Sequence, residues 1–198
     1  MISDEILLKY NGRKKDIKKG TMLFSEGGHA LFFFQVARGE VKMYNFNDDG
    51  KEFIQGIFTD NDSFGEPPLL NNKPYLTNAI ATTDSEVWTL TKEDFIKMLR
   101  NDSDAAVLVC KRLSDRLYYK SLMAMEISSE DAEHRLLRFF DYLKSDVAKV
   151  GQDNTYLIDL TRQELADLTG LRVETVIRSV KSLEKKKAIK IIGRKIFR

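Results

Sequence analysis

Thr161-Arg162-Gln163-Glu164-Leu165-Ala166-Asp167-Leu168-Thr169-Gly170-Leu171-Arg172-Val173-Glu174-Thr175-Val176-Ile177-Arg178-Ser179-Val180-Lys181-Ser182-Leu183 is the stretch on which the reading of this 198-residue chain turns. Thr161 and Glu164 have the spacing of a capping box. The hydroxyl accepts from the third amide of a helix while the carboxylate accepts from the amide of the cap residue, which fixes where the helix begins. Gly170 supplies a left-handed turn residue, and a second helix follows almost at once. On that second helix Val173, Val176, Val180 and Leu183 fall on one face, and Glu174, Ile177, Arg178 and Lys181 on the other.

Two short helices joined through a glycine turn, the second with a charged outer face, describe a helix-turn-helix, whose second helix fits the major groove of duplex DNA. The outer face carries what base reading needs. Arg178 can donate two parallel bonds to guanine, Glu174 can accept from the cytosine amino group, and Ile177 can touch a thymine methyl. Arg162, Gln163, Arg172, Thr175 and Lys181 are candidates for phosphate contacts, which set register rather than sequence. Downstream, Ile189 to Ile192, the turn Gly193-Arg194-Lys195, and Ile196-Phe197 read as a hairpin with a basic tip, so Arg194 and Lys195 join the phosphate candidates. Any one of these basic residues, taken singly, is more often a solvated surface charge than a DNA contact.

Charge supports the same division. The chain has 32 Lys and Arg against 30 Asp and Glu, but residues 155–198 hold 11 against 5, so a basic tail follows an acidic front. Hydrophobic residues make up 42% and Gly and Pro number 11 and 3, which excludes collagen-like and low-complexity classes. Cys110 is the one cysteine, so no internal disulfide and no multi-cysteine zinc or iron–sulfur cage can form. It reads as a small buried hydrophobe. No apolar run approaches the roughly 18 residues that span a bilayer. The start, Met1-Ile2-Ser3-Asp4-Glu5, lacks the basic and apolar regions of an export signal. A cytoplasmic protein with no membrane partner is expected.

Ahead of the basic tail, short strands alternate with turn signals: Leu31 to Val36, Glu40 to Phe46, Glu52 to Phe58, Ala79 to Thr82 and Glu86 to Leu90, with Asp49-Gly50 as the clearest hairpin turn. This spacing indicates a sandwich or jelly roll. A helix over Asp94 to Leu99 precedes a longer one starting near Ser103-Asp104. Along the longer helix Ala106, Cys110, Leu113, Leu117, Lys120, Ala124 and Ile127 recur at heptad spacing. The seam from Cys110 to Ile127 is expected to pair with a second copy of the chain, while Leu108, Val109 and Leu122 lie off it. A stripe packed on its own sheets is the competing reading. Ser128-Ser129-Glu130-Asp131 restarts the helical pattern, Leu136, Phe139, Phe140, Leu143 and Val147 form an apolar face, and Gly151-Gln152-Asp153-Asn154 ends it.

With these motifs in view, the chain resembles the Crp/Fnr family of bacterial transcription regulators. The resemblance rests on Phe24-Ser25-Glu26-Gly27, Arg38-Gly39-Glu40-Val41-Lys42-Met43-Tyr44, Asp49-Gly50-Lys51-Glu52, Phe64-Gly65-Glu66 with Leu69-Leu70, and Thr161 to Ala166. It implies an α+β chain: an N-terminal β jelly-roll barrel for an effector (residues 1–101), a long dimerisation helix and hinge (102–128) and a C-terminal winged helix-turn-helix (129–198). It further implies a homodimer on a palindromic promoter site, in contact with RNA polymerase. Val173-Glu174-Thr175 with Arg178 resembles the reading helix of the Fnr branch, favouring a half-site with a GA step, while Ile177 departs from the serine usual there. Arg172 stands where a capping Ser or Thr is usual.

The effector site departs further. In cyclic-nucleotide binders of this fold, Gly65 and Glu66 would hold the ribose, and an Arg followed by Ser or Thr would neutralise the phosphate. This chain has Tyr75-Leu76 there, which removes the charge-assisted partner, so cyclic AMP is not expected to bind tightly. Lys120, with Ser121 beside it, could replace that charge from the long helix, or could simply extend its stem across the seam to water. His29 and His134 are isolated, so no metal or haem cofactor is expected. The alternatives are a dimer whose barrel takes no ligand and binds DNA constitutively, and a cupin-type metal enzyme, for which two isolated histidines are a poor donor set.

Overall fold

The structure, a computed structural model, describes residues 2–46, 50, 52–128, 131–151 and 154–198, and within these leaves out the side chains of 125–128. The chain divides into two compact units, Met1–Ser114 and Asp115–Arg198. The division falls inside one long helix.

The first unit opens with a short helix, α1 (Asp4–Lys9), whose first turn is capped by Ser3. Two four-stranded antiparallel sheets follow, ordered β1-β8-β3-β6 and β2-β7-β4-β5. Their strands are β1 (Arg13–Ile17), β2 (Met22–Phe24), β3 (Phe32–Arg38), β4 (Val41–Phe46), β5 (Glu52–Phe58), β6 (Ser63–Phe64), β7 (Asn78–Ala81) and β8 (Ser85–Thr91). The sheets form a jelly-roll-like sandwich and do not close into a barrel.

β3 shows why. Phe33, Phe34, Gln35 and Val36 are all buried, so both faces of the strand are covered. Phe34 points between the sheets and stacks on Phe64, with ring centroids 5.2 Å apart. Phe33 points the other way and stacks on Phe95 of α3 (Lys92–Asn101) at 4.5 Å. Gln35 exchanges two hydrogen bonds with the backbone of Ile2, at 2.9 and 3.2 Å. Both faces of the strand are thus buried, and the chain start and α3 cover the outer one.

β4 and β5 pair with Phe46 opposite Glu52. Asp49 and Lys51 of the expected hairpin motif lie outside the described residues. Four elements of this unit carry no apolar period to find. α1, β6 and α2 (Glu66–Asn71) span six residues or fewer, and β1 is an edge strand of Arg and Lys stems, exposed along nearly its whole length.

The long helix α4 runs over Ser103–Ser128. Its start differs in detail from expectation: the Asp102 carboxylate, not Ser103, accepts from the Ala105 amide at 3.0 Å. Val109 packs in the first unit's core as the off-seam reading expects. Cys110 is exposed on the single chain, whereas Leu113 of the expected seam packs against the first unit's own core, as the competing reading has it. Leu117 is 67% exposed, and Lys120 and Ala124 are exposed with it. The side chain of Ile127 is not among those described.

In the second unit Asp131 caps α5 (Ala132–Tyr142); Ser129 and Glu130 lie outside the described residues, as do Gln152 and Asp153. Leu136, Phe139 and Phe140 are buried as expected, but Val147 is 55% exposed. The cause is a π-helical turn over Leu143–Val147, with Ala148 bonding back to Leu143. Its wider winding rotates Val147 outward and brings Lys144 in. Helices α6 (Arg162–Thr169) and α7 (Val173–Lys185) follow, and a three-stranded sheet ordered β10-β11-β9 completes the unit: β9 (Leu157–Ile158), β10 (Lys190–Ile192) and β11 (Lys195–Phe197).

Candidate nucleic-acid interface

The capping box at the start of α6 is complete. Glu164 donates its amide to the Thr161 hydroxyl at 3.1 Å, and Thr161 donates its amide to the Glu164 carboxylate at 2.6 Å. Gly170 ends the helix at φ +69°, and Leu171 closes the turn by bonding the Ala166 carbonyl at 3.0 Å. Arg135 of α5, buried beneath, donates to the Thr169 carbonyl at 3.2 Å, placing a cation at the negative end of α6. Sequence reading passes over Arg135 because nothing local distinguishes it from a surface arginine.

α7 begins at Arg172 without a side-chain cap, in line with its departure from Ser or Thr. Val176, Val180 and Leu183 are buried in the second core, with Val173 packed partly against it. The opposite face is open. Glu174, Ile177, Arg178 and Lys181 line a shallow groove along α7, together with Ser182 and Lys185. Lys185 stands four residues beyond Lys181, so the 3.6-residue period that selects Arg178 and Lys181 reaches it too. Glu174, Ile177, Arg178, Lys181 and Arg172 are exposed, and Thr175 is half-buried.

Three of the remaining phosphate candidates, Arg162, Gln163 and Lys195, have side-chain partners within the unit. Gln163 donates to both oxygens of buried Asp167, at 2.8 and 3.0 Å. Arg162 is partly buried, which lowers its guanidinium's pKa, and it reaches the Arg194 carbonyl at 3.5 Å. Lys195 pairs with Asp159. The hairpin tip is a two-residue turn, Gly193 and Arg194, at φ +55° and +70°; Lys195 already belongs to β11. Two positive φ angles define the turn whose twist suits a tight hairpin. Arg198 anchors the hairpin on α5, donating to both Asp141 oxygens at 2.6 and 3.1 Å and to the Ala188 carbonyl at 2.6 Å. The Lys186 ammonium, 2.7 Å from Glu133, ties the end of α7 to α5 and, with Ser182, holds the Glu133 carboxyl below its usual range.

The effector candidates fall in both units. Gly65, at φ +80°, precedes α2, and Glu66 is fully buried. Tyr75 is buried and Leu76 is 75% exposed. Gly65 and Tyr75 are brought together, since a Cβ built on Gly65 would lie 3.5 Å from the Tyr75 ring. Lys120 and Ser121 are exposed on α4, in the second unit. No guanidinium stands at the Tyr75-Leu76 step, and the Tyr75 ring lies beside Gly65.

Among the described residues no helix is long and apolar enough to cross a membrane. Residues 14–102 match the Cyclic nucleotide-binding domain, and residues 134–198 the Crp-like helix-turn-helix domain. The chain is 26% identical over 187 residues to the Fumarate and nitrate reduction regulatory protein of Yersinia pestis, covering 93% of this chain and 74% of that protein. It is 25% identical over 193 residues to the cAMP-activated global transcriptional regulator Vfr of Pseudomonas aeruginosa, covering 95% and 89%. Among solved structures, the c-di-GMP responsive global regulator CLP of Xanthomonas campestris shares the fold at a TM-score of 0.74 and 22% identity, over 97% of this chain and 95% of that one. The order of sandwich, long helix and helix-turn-helix, with both halves matched in sequence, makes this chain a member of the Crp/Fnr family of DNA-binding transcription regulators.

Proposed function

We propose that the chain acts as a homodimer on a palindromic promoter site, with α7 of each protomer in the major groove. Glu174, Ile177 and Arg178 read base edges on a half-site with a GA step, and Arg172, Thr175, Lys181 and Arg194 hold phosphates. The observation that carries this reading is the division of α7: Val176, Val180 and Leu183 are sealed in the core while Glu174, Ile177 and Arg178 stand in the open. Arg162, Gln163 and Lys195 make intramolecular bonds and so serve the site first as props for α6 and the wing. The exposed line of Cys110, Leu117 and Ala124 supports pairing through α4, because an apolar stripe on a helix is stable when a second copy covers it.

The protein then works in the cytoplasm with DNA, its own second copy and RNA polymerase as partners, without membrane contact or catalysis. Cyclic AMP is not its tight effector. Selection of bound sequences from a random duplex pool tests the central reading: a two-fold symmetric consensus is expected, and a pool that never enriches a symmetric motif would refute it.

A further inference from the structure

The Tyr75 ring stacks on Phe24 with centroids 3.7 Å apart and planes 6° from parallel. Its hydroxyl donates to the Phe32 carbonyl at 3.4 Å, and 4% of the residue is exposed. Backbone bonds hold it in place from the other side: Gly27 donates to the Tyr75 carbonyl at 2.8 Å, and Tyr75 donates to Gly28 at 2.9 Å. Phe24 also meets Phe34 and Phe64, at 5.7 and 6.2 Å between centroids. A Cβ added at Gly65 would touch Phe24, Phe34 and Tyr75 together, each at 3.5 Å. The step Gly65-Glu66, where a ribose would be held, therefore faces a box of rings with Tyr75 inside it.

We propose that Tyr75 is the resident occupant of the sandwich's ligand site, so that the protein needs no diffusible effector there, and that removing the ring opens a cavity for a small neutral aryl alcohol. The inference rests on the reading of the N-terminal unit as an effector domain. A phenol ring buried against aromatic walls, with one carbonyl to receive its hydroxyl, has the composition of a small-ligand site: apolar lining and few, placed polar groups. Large-to-small changes in such a setting leave a void that the surroundings close only partly, and apolar cavities of this kind take up aromatic molecules.

Thermal melting of the full-length protein tests it without DNA, so its outcome is independent of the base-reading assignments. The wild type and Tyr75→Phe should melt within about 1 °C of the same temperature with or without about 1 mM cyclic AMP or cyclic GMP. Tyr75→Ala should melt at least about 5 °C lower. Phenol at about 5 mM should restore about 2–4 °C of that loss while leaving the wild type unshifted, as expected for a ligand that binds the folded state with a dissociation constant near a millimolar. A cyclic nucleotide that raises the melting temperature of the wild type or of Tyr75→Phe overturns the proposal. So does a folded Tyr75→Ala protein that phenol leaves unchanged. Should Tyr75→Ala not fold, the Tyr75→Phe and wild-type arms decide alone.

Discussion

Replacing Arg178 by alanine isolates base reading from folding. The side chain is exposed on the outer face of α7 and, among the described residues, makes no hydrogen bond or ion pair. Arginine and alanine are both good helix formers, so the change should move stability by no more than about 0.5 kcal/mol. On DNA the loss is that of one bidentate contact to guanine, about 1–3 kcal/mol per half-site, or about 5- to 150-fold. A dimer carries the loss twice on a symmetric site. Fluorescence anisotropy against the selected consensus, and against the consensus with its contacted guanine replaced, separates two cases. If Arg178 reads that base, the variant binds both duplexes with nearly equal affinity. If the variant loses the same factor on every sequence, Arg178 touches only phosphate and the reasoning fails.

Other consequences are open to simple measurement. Lys181→Ala should weaken binding to all sequences alike and lower the slope of log K against log salt by about 1 per protomer; a change in preferred sequence would contradict its assignment to phosphate. Thr161→Ala breaks one half of the capping box and should destabilise the second unit by about 1 kcal/mol, seen in urea or thermal melts. Leu117→Asp puts a charge on the exposed α4 stripe and should shift the sedimentation coefficient from dimer to monomer; a dimer that persists argues for another interface. Burial pushes the Tyr75 hydroxyl up to about 12, partly opposed by its bond to Phe32. The neutral form is favoured in the folded state, so this contribution is intact below the unfolded value near 10 and fades as pH rises through about 12. Comparison with Tyr75→Phe, which has no proton to lose, should show the wild type losing relative stability across that window.

The helix-turn-helix was legible because its signals are local. A capping box, a left-handed glycine and a valine face each occupy a few adjacent residues, and all three agree about where α6 and α7 lie. The edge strand β1 was not, since its stability comes from pairing with β8, Arg13 opposite Thr89, and its exposed side chains carry no alternation. Val147 was misassigned by a rule that holds only while winding stays near 3.6 residues per turn. Cys110 illustrates a limit of a different kind, because the seam spacing that marks it as apolar does not say which molecule covers it. The partners of Gln163 and Lys195 were invisible as such. Whether a polar side chain at a helix start or on the wing faces a phosphate or a neighbouring carboxylate is settled by tertiary placement.

Arg194 occupies the left-handed region at the wing's tip, a conformation that glycine adopts freely and that costs a residue with a Cβ roughly 1 kcal/mol. The hairpin would close more readily with glycine there, and would lose its terminal positive charge in doing so. Survival on heating and retention on a polyanion therefore pull this one position in opposite directions. Libraries randomised at residue 194 should drift toward glycine under the first selection and back toward arginine or lysine under the second.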